Sequence, residues 1–456
     1  MKTQYPPGPR DWFFGVSLGR RSLREPLTFL QEMVRRYGDI VYMHLGPVHT
    51  YVINHPNLIR EVLVSKGKSF RKWERQKRVF RKIDGGGLIN SEGDFWLRQR
   101  RLIQKAFQQR RFSRYAETMV ELTRRRLDRW TPGAAINLDQ EMSQLALEIA
   151  GQTLFGVDLR EEAGWLGETA EILRETFIRE FLAFVPLPDW LPLPSKRRMR
   201  RAIRTLDTFI TGIIRARRAS GEDKGDLLSM LLLAVDDQGD GTGMTDRQAR
   251  DEAVTLFNAG HDSTSAALAW TCYFIARNRG VQERLREEME AVLGGRAATL
   301  EDLPRLTFTG TVVKESLRIC PPTPALINRE AVAEVELGGY HVPRGSVVVL
   351  SPYVTQRDPR WFREPQRFDP DRFAVGRAAD IPEYAYFPFG AGPHVCVGNN
   401  FALMEITLVV ATLVQRFQVE LTPGQENVVP ELKVSLRPRG GVYVKPVVSH
   451  AAASRC

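Results

Sequence analysis

One cysteine, Cys396, lies in a glycine-rich segment directly ahead of a predicted helix. Residues 389–398 read FGAGPHVCVG, and they close a coil (356–395) that is rich in proline, glycine and aromatic residues. A long coil inside a compact domain usually carries function. Glycine permits tight turns and the close approach of a flat ligand, and the positive end of a helix lowers the pKa of a thiol. The pattern indicates a functional thiolate, and a buried structural cysteine in a turn is the alternative.

The other cysteines argue against disulfides and against a zinc site. The chain has four cysteines, which are Cys272, Cys320, Cys396 and Cys456. They are scattered and include no C-x-x-C pair, whereas disulfide frameworks and zinc sites have clustered spacings. An isolated thiolate in a glycine-rich loop is instead suited to bind haem iron as an axial ligand, where it favours O–O cleavage. This cysteine usage fits a reduced, cytoplasmic setting.

Composition and hydropathy indicate a globular protein without a membrane span. Of the 456 residues, 43% are hydrophobic and 26% are charged, which excludes a disordered or collagen-like chain. The N-terminus lacks the apolar region of a signal peptide. No run approaches the roughly 18 consecutive apolar residues that a membrane-spanning helix needs. We therefore expect a cytoplasmic protein with no membrane span.

Positive charge is clustered along the chain. The net charge is +11, and basic runs occur at 71–82, 98–114 and 196–204. Such runs can meet nucleic acid, an acidic protein or only solvent. No helix-turn-helix, RNA-binding or zinc-finger signature accompanies them. We therefore expect solvated helix faces first and an acidic protein partner second, with no nucleic acid.

The pattern along the chain predicts one mainly α domain, over 1–456, with a smaller β region. Residues 94 to about 290 are mostly helical in pattern, and the last helix is predicted at about 398–417. The β-rich parts lie near 40–55, near 332–350 and at the C-terminus. No flexible linker divides the chain, so we expect a single domain.

A long helix is predicted to begin at Thr245. The residues from Thr245 to Gln248 match a capping box, and helical character continues to about Arg277, which is roughly 50 Å of helix. Its middle carries an acid beside an alcohol, Asp262 and Ser263, a pair that can deliver protons. A solvated helix face is the alternative for these two side chains.

A second charged motif lies on a later helix. Glu315 and Arg318 are three residues apart, so they face the same way and can pair. Such a spacing alone is a weak signal, because surface ion pairs share it. Arg372 follows in the segment 368–373, which reads FDPDRF, and it is a candidate third member.

These motifs, in this order, resemble those of the cytochrome P-450 superfamily, and the resemblance covers essentially the whole chain. It implies the family fold, a mainly helical triangular prism with haem buried between two long helices. It implies haem b as cofactor and Cys396 as the proximal thiolate ligand of the iron, with further haem contacts from Phe389 and Gly398. Glu315, Arg318 and Arg372 then correspond to the family's buried triad, which holds the coil that presents the cysteine.

The resemblance also implies proton-relay and propionate-binding residues. The long helix departs from the family pattern, because the usual first threonine is Ser263; serine keeps the hydroxyl and loses the methyl that restrains χ1. Asp262 and Ser263 are the predicted relay, and Thr264 is the second candidate. The haem propionates need cationic or N–H donors. The predicted ones are Trp96, Arg100, Arg329 and His394, of which the W-x-x-x-R pair is the strongest; surface charge is the rival interpretation for each.

The implied activity is that of a monooxygenase or hydroxylase. One atom of dioxygen enters a C–H bond or alkene of a lipophilic molecule, such as a fatty acid or terpenoid. No fused reductase is expected, so electrons come ultimately from NAD(P)H through a ferredoxin or flavodoxin with its reductase. Such carriers are usually acidic, and Arg100, Arg101 and Lys105 are the predicted docking cations. A peroxygenase that uses hydrogen peroxide and a non-enzymatic haem sensor are the alternatives.

Family topology, rather than spacing, suggests residues for an apolar substrate pocket. The candidates are Ile83, Leu88, Phe181, Phe184, Asn258, Ala259, Pro324, Ala325, Leu326 and Leu436. Each of these has an ordinary core residue as its alternative interpretation.

Overall fold

The structure is a computed structural model that describes residues 5–9, 15–107, 111–182, 190–191, 193–239 and 241–448. The described α-helices are α1 (Val16–Arg24), α2 (Pro26–Tyr37), α3 (Pro56–Arg60), α4 (Glu74–Asp84), α5 (Gly93–Ala106), α6 (Phe112–Leu127), α7 (Leu138–Phe155), α8 (Ala163–Leu182), α9 (Pro194–Ser220), α10 (Leu227–Leu233), α11 (Asp246–Arg277), α12 (Arg279–Leu293), α13 (Thr307–Ile319), α14 (Pro352–Thr355) and α15 (Asn399–Arg416). None of these helices is both long enough and apolar enough to cross a membrane.

The described strands are short. Most of them fall in or near the three predicted regions, whereas those at 70–72 and 136–137 lie outside these regions. The strands are β1 (Ile40–Leu45), β2 (Val48–Ile53), β3 (Phe70–Lys72), β4 (Ile136–Asn137), β5 (Arg329–Ala331), β6 (Val335–Leu337), β7 (Tyr340–Val342), β8 (Val347–Leu350), β9 (Phe417–Leu421), β10 (Pro430–Leu432), β11 (Leu436–Pro438) and β12 (Tyr443–Val448). The predicted class, mainly α with smaller β sheets, is therefore confirmed.

The chain folds into two compact units. The first unit contains Met1–Val79 and Leu317–Cys396, and the second contains Phe80–Ser316 and Val397–Cys456. Each unit is built from two separate stretches of the chain. The single domain over 1–456 remains a prediction.

The first unit is organised by a five-stranded sheet with the order β1-β2-β8-β5-β3. β1 and β2 form an antiparallel hairpin in which Leu45 pairs with Val48, and the turn between them uses Gly46 at a φ of 62°. Glycine adopts this left-handed conformation without steric cost. β2 then runs parallel to β8. One hydrophobic cluster contains Tyr51, Ile53, Val348 and Leu350, whose side chains are buried.

The second unit is mainly helical, and its core lies among α4, α5, α7, α8, α9, α10 and α11. Leu102, Phe155, Ile210 and Val254 belong to one buried cluster there. Two small sheets, β4-β12-β9 and β10-β11, complete the unit. Because apolar side chains from seven helices meet in this cluster, burial of their surface is the main stabilising contribution.

α11 begins and ends at the predicted residues. The Thr245 Oγ1 accepts a hydrogen bond from the Gln248 backbone N–H at 3.2 Å, and the Gln248 Oε1 accepts one from the Thr245 N–H at 3.0 Å. This reciprocal pair is the capping box that the sequence predicted, and it satisfies two donors at the helix end. The helix continues to Arg277.

Candidate functional site

The cysteine loop (residues 387–396) is a tight, backbone-bonded turn in the first unit. The Cys396 N–H donates to the Phe389 carbonyl at 2.9 Å. Gly390 and Gly392 have φ values of 72° and 67°, which favour glycine. A Cβ on Gly392 would lie 2.6 Å from the Leu63 carbonyl oxygen, so a side chain there would force the loop away from its neighbour.

Gly398, a predicted haem contact, has a different backbone conformation from Gly390 and Gly392. Its φ is −95°, a conformation open to any residue, and it lies directly before α15. A Cβ there would meet the ring of Phe107 at 3.9 Å, which is an ordinary contact. Within this segment Gly390 and Gly392 have positive φ, and the close approach of a flat ligand to Gly398 stays a prediction.

Cys396 is the accessible thiol among the cysteines that the structure describes. Cys272 and Cys320 are buried, whereas Cys396 is exposed. Burial raises the pKa of Cys272 to about 12 and, although Arg357 opposes it, the pKa of Cys320 to about 11. Those two thiols stay protonated near neutral pH, and a ligand cannot reach them. The residues around Cys396 therefore fit a flat cofactor that needs an accessible thiolate.

Gln356 connects the cysteine loop to the end of α13. Its Nε2 donates to the carbonyls of Leu317 and Arg318, each at 3.0 Å, and its Oε1 accepts from the Phe387 N–H at 3.0 Å. The side chain is fully buried. No sequence signal distinguished this glutamine, because its partners are backbone groups up to 39 residues away.

Arg318 and Arg372 hold one coil in the first unit. The fully buried Arg318 guanidinium donates from Nη1 to the carbonyls of Gln356 at 2.8 Å and Pro365 at 2.9 Å. The Arg372 Nη2 donates to the Glu364 carbonyl at 3.0 Å. Both arginines therefore fix the segment that precedes the cysteine loop. Glu315 is also fully buried, three residues before Arg318 on α13.

The middle of α11 is accessible only over a short open patch. Between Asp251 and Ile275 every described residue is buried except Asn258, Ala259, Gly260 and Ser263. The Ser263 hydroxyl donates to the Ala259 carbonyl at 2.7 Å. Thr264 is buried, so the structure places Ser263 rather than Thr264 on the open patch.

The Asp262 carboxylate is held away from this patch by two guanidinium groups. Its Oδ1 accepts from Arg174 Nη1 at 2.9 Å and from Arg437 Nη2 at 2.8 Å, while its Oδ2 accepts from the Ser435 hydroxyl at 2.6 Å. Burial alone would raise the pKa of Asp262, but the charges of Arg437 and Arg174 outweigh it and hold that pKa far below its usual range. Asp262 is therefore ionised, and it makes no described contact with Ser263.

Sequence reasoning missed the three partners of Asp262. Arg174 lies 88 residues before Asp262, and Ser435 and Arg437 lie 173 and 175 residues after it. No local pattern marks any of them. The adjacent His261 is buried. Its Nε2 donates to the Ser143 carbonyl at 3.1 Å and lies 3.4 Å from the Ser143 hydroxyl oxygen. Burial lowers the pKa of His261 to about 4, so it is neutral at physiological pH.

The predicted propionate donors lie at buried or half-buried positions in both units. In the second unit, Trp96 and Arg100 are one turn apart on α5, and Arg100 is 8% exposed. In the first unit, Arg329 lies on β5, where its Nη1 donates to the Ile327 carbonyl at 2.8 Å. His394 ends the short 3-10 turn before the cysteine. All four remain predictions as haem contacts.

The predicted pocket residues have different environments. Leu88, Phe181, Asn258, Ala325 and Leu326 are half-buried, Ala259 is exposed, Ile83, Pro324 and Leu436 are buried, and Phe184 lies outside the described residues. Leu326 borders the cysteine loop, because its methyl groups lie 3.9 Å from a Cβ built on Gly390. Leu436 is fully enclosed, and its carbonyl accepts from Trp270 Nε1 at 2.8 Å, which makes it a core residue.

A glycine-rich loop, residues 84–88, is fastened to the first half of α11. The Gly86 N–H donates to Asp251 Oδ2 at 2.8 Å, and the Leu88 N–H donates to Glu252 Oε2 at 2.9 Å. A Cβ on Gly87 would come within 2.1 Å of the Thr255 hydroxyl oxygen. The glycines therefore allow this loop to lie directly against the helix.

The predicted docking cations have partners within the second unit. Arg101 forms an ion pair with the buried Asp236 at 2.5 Å, and Lys105 pairs with Asp237 at 2.5 Å. In contrast, four arginines on α9 line a surface groove of about 530 Å3 and make no ion pair with another described residue. They are Arg197, Arg200, Arg201 and Arg204.

Comparison with known proteins identifies the relatives of this chain. The sequence model of cytochrome P450 matches residues 6–445. Cyclooctatin synthase of Streptomyces melanosporofaciens is 36% identical over 434 residues, which cover 93% of this chain and 94% of the relative. Cyclooctat-9-en-7-ol 5-monooxygenase of the same organism is 35% identical over 439 residues, covering 93% of each chain.

A third relative has a different named substrate. Pentalenene oxygenase of Streptomyces avermitilis is 32% identical over 412 residues, which cover 89% of each chain. The name of the second relative, the 5-monooxygenase, gives an unsaturated alcohol as the molecule on which that protein acts. The name of pentalenene oxygenase gives a hydrocarbon.

Proposed function

The chain belongs to the cytochrome P450 family, and from this premise we propose that it oxygenates a terpenoid with electrons from a separate carrier protein. It is an oxidoreductase with a haem-iron cofactor. The named molecules of two relatives support the terpenoid class among the lipophilic molecules that the family takes. The observation that carries the proposal is the exposed thiol of Cys396 in its glycine-turned loop.

We assign Cys396 as the axial thiolate. Haem iron, when bound to a thiolate, supplies the activation of dioxygen. In this assignment Phe389 and Gly398 contact the haem, and Trp96, Arg100, Arg329 and His394 are the donors for the propionates, since charged and N–H donors bind carboxylates strongly. Gln356 and Arg318 keep the loop in one conformation, which fixes the position of the sulfur.

We assign Ser263 as the residue that passes a proton to the reaction. Its hydroxyl oxygen lies on the open patch of α11, whereas Thr264 is buried. Asp262 acts in this assignment as a positioning residue, because its carboxylate is ionised and shared by two arginines. Ser263→Ala should increase the fraction of electrons lost to hydrogen peroxide, and the buried Thr264→Val should leave it near the wild-type value. An unchanged fraction in Ser263→Ala would place the relay elsewhere.

We infer that the electron carrier is an acidic ferredoxin or flavodoxin. The net charge of +11 supports electrostatic attraction, which weakens as ionic strength rises. Arg101 and Lys105 already have acidic partners, so neutralising them should slow reduction less than neutralising the α9 arginines, which have no ion-pair partner among the described residues. Reduction by the carrier is measured at several salt concentrations for Arg101→Gln and for Arg201→Gln. A reduction rate that does not change with ionic strength would exclude electrostatic docking of the carrier.

The function is tested by titrating the haem-loaded protein with terpenoids, fatty acids, steroids and aromatic compounds while the Soret band is followed. We expect a saturable low-spin to high-spin shift with terpenoids, followed by oxygenated product when ferredoxin, its reductase and NADPH are supplied. Product with hydrogen peroxide alone would indicate a peroxygenase. Ligand binding without product under either condition would indicate a haem sensor.

A further inference from the structure

Asp84 and Asn258 form a polar pair in the second unit, at the edge of the open patch on α11. The Asn258 Nδ2 donates to Asp84 Oδ1 at 2.9 Å. Asp84 is 5% exposed, whereas Asn258 is half-buried. Apart from the Ser263 hydroxyl, the Asn258 amide is the only polar side-chain group on the open patch.

The pair fixes which end of the amide faces outward. An ionised carboxylate can only accept hydrogen bonds, so the amide must present its NH2 group to Asp84. The Asn258 Oδ1 is then turned away from Asp84, and within the described part of the chain no group donates to it. Solvent reaches this acceptor, so a ligand that covers it without donating leaves it unmatched at a cost, whereas a ligand with a donor avoids that cost.

The position of Asp84 is itself held by α11. Ile83 directly precedes Asp84, and its carbonyl accepts a hydrogen bond from Arg250 Nη2 at 3.1 Å. Gly86 lies two residues after Asp84, and its N–H donates to Asp251. These contacts anchor both sides of Asp84 to the helix that carries Asn258. The pair is therefore preorganised, and a ligand does not have to order it.

We propose that Asn258, oriented by Asp84, is a hydroxyl-recognising site, and that the substrate is a lipophilic alcohol whose O–H donates to Asn258 Oδ1. This inference rests on the proposed function and narrows its substrate class. A ketone or an ether offers only acceptors to the same oxygen. A hydrocarbon leaves the oxygen unmatched, and sites built to bind a hydroxyl discriminate against analogues that lack it.

The test compares matched ligands on the haem-loaded protein. Cedrol, its methyl ether and the hydrocarbon cedrene are titrated by calorimetry and by the Soret shift, with Asn258→Leu beside the wild type. We expect cedrol to bind the wild type roughly tenfold more tightly than its ether, as one hydrogen bond would give. In Asn258→Leu the alcohol should lose this advantage, while the affinity for cedrene stays within about twofold.

A second variant separates recognition from simple packing. In Asp84→Asn the partner amide can either donate or accept, so Asn258 can turn its NH2 group outward. Binding of a terpenoid ketone such as camphor, measured against its alcohol borneol, should then improve by several-fold relative to the wild type. If the role of Asp84 were purely structural, the substitution would weaken the binding of both ligands to the same extent. Asn427→Leu, the same substitution at an exposed residue, is the matched control.

The outcomes separate this site from the proposed function. Equal affinities for cedrol and its ether in the wild type, or an equal loss of all three ligands in Asn258→Leu, overturn the hydroxyl site. A calorimetric preference for the alcohol in a protein that shows no thiolate–haem spectrum supports the site and overturns the proposed function. A low-spin to high-spin shift without any preference for the alcohol supports the proposed function and overturns the hydroxyl site.

Discussion

The cysteine loop and the middle of α11 hold their important groups by different kinds of contact. In the cysteine loop the contacts are backbone ones, as in the bond from the Cys396 N–H to the Phe389 carbonyl, supported by Gln356. In α11 the contacts are between charged side chains, with Asp262 bound by Arg174 and Arg437. Backbone hydrogen bonds fix the path of the loop, whereas the side-chain contacts on α11 fix individual residues. The difference teaches that adjacent polar residues on a buried helix can have separate roles, as Asp262 and Ser263 do.

The largest expected effect is at the sulfur of the cysteine loop. Cys396→Ser keeps the size of the side chain but replaces the thiolate, so the thiolate–haem spectrum should disappear and turnover should fall by roughly a thousandfold or more. Haem spectra and product formation measure this. Cys320→Ala removes a buried thiol and should keep the spectrum. A normal thiolate–haem spectrum in Cys396→Ser would contradict the assignment of Cys396 as the axial ligand.

The ion-pair network of α11 should give the next largest effect. Arg437 is buried and donates to Asp262, Asp139 and Ser265. Arg437→Met leaves buried carboxylate charge undercompensated, so the free energy of unfolding should fall by about 4 kcal/mol. Denaturant unfolding measures this, with the exposed Arg439→Met as control.

The same network predicts the sign of a pH effect. Because its neighbours hold the pKa of Asp262 below the unfolded value, the ionised carboxylate stabilises the fold above about pH 4 and loses that contribution in acid. The stability difference between the wild type and Asp262→Asn should therefore be largest near neutral pH and shrink in acid. A difference that grows in acid would contradict the ionised state.

Gln356 tests the backbone-bonded region. Gln356→Leu leaves the Phe387 N–H and the carbonyls of Leu317 and Arg318 without this partner, so the free energy of unfolding should fall by about 3 kcal/mol. Haem retention should fall in parallel. The exposed Gln366→Leu, in the same coil, should change neither. Normal haem retention in Gln356→Leu would show that the loop holds its conformation alone.

The smallest expected effect is at Asp84. Burial raises the pKa of Asp84 to about 6, although Asn258 and Arg250 oppose this, and Asp251 adds to it. A carboxyl whose folded pKa is raised stabilises the fold in acid and loses that contribution as pH rises through 6. Asp84→Asn should therefore be more stable than the wild type by about 2 kcal/mol at pH 7.5, and this gain should vanish only as the pH falls to about 4, the unfolded pKa of the carboxyl. Thermal unfolding at both pH values decides it.

The local motifs were predictable where neighbouring residues determine the structure. The capping box at Thr245 and the helix that follows it depend on residues a few positions apart. So does the start of α15, which lies within two residues of its predicted position. The same holds for Gly390 and Gly392, whose positive φ angles a tight turn demands.

The amino-acid sequence by itself determined the family, the mainly helical class and the residues that form the cysteine loop, since these follow from composition, periodicity and short motifs. Only the tertiary structure decided that Asp262 pairs with Arg174 and Arg437, that Gln356 supports the loop, and that the Asn258 amide donates to Asp84. The physical reason is sequence distance. Hydrogen bonds and ion pairs act over about 3 Å in space, and chain folding brings together partners that no local pattern connects.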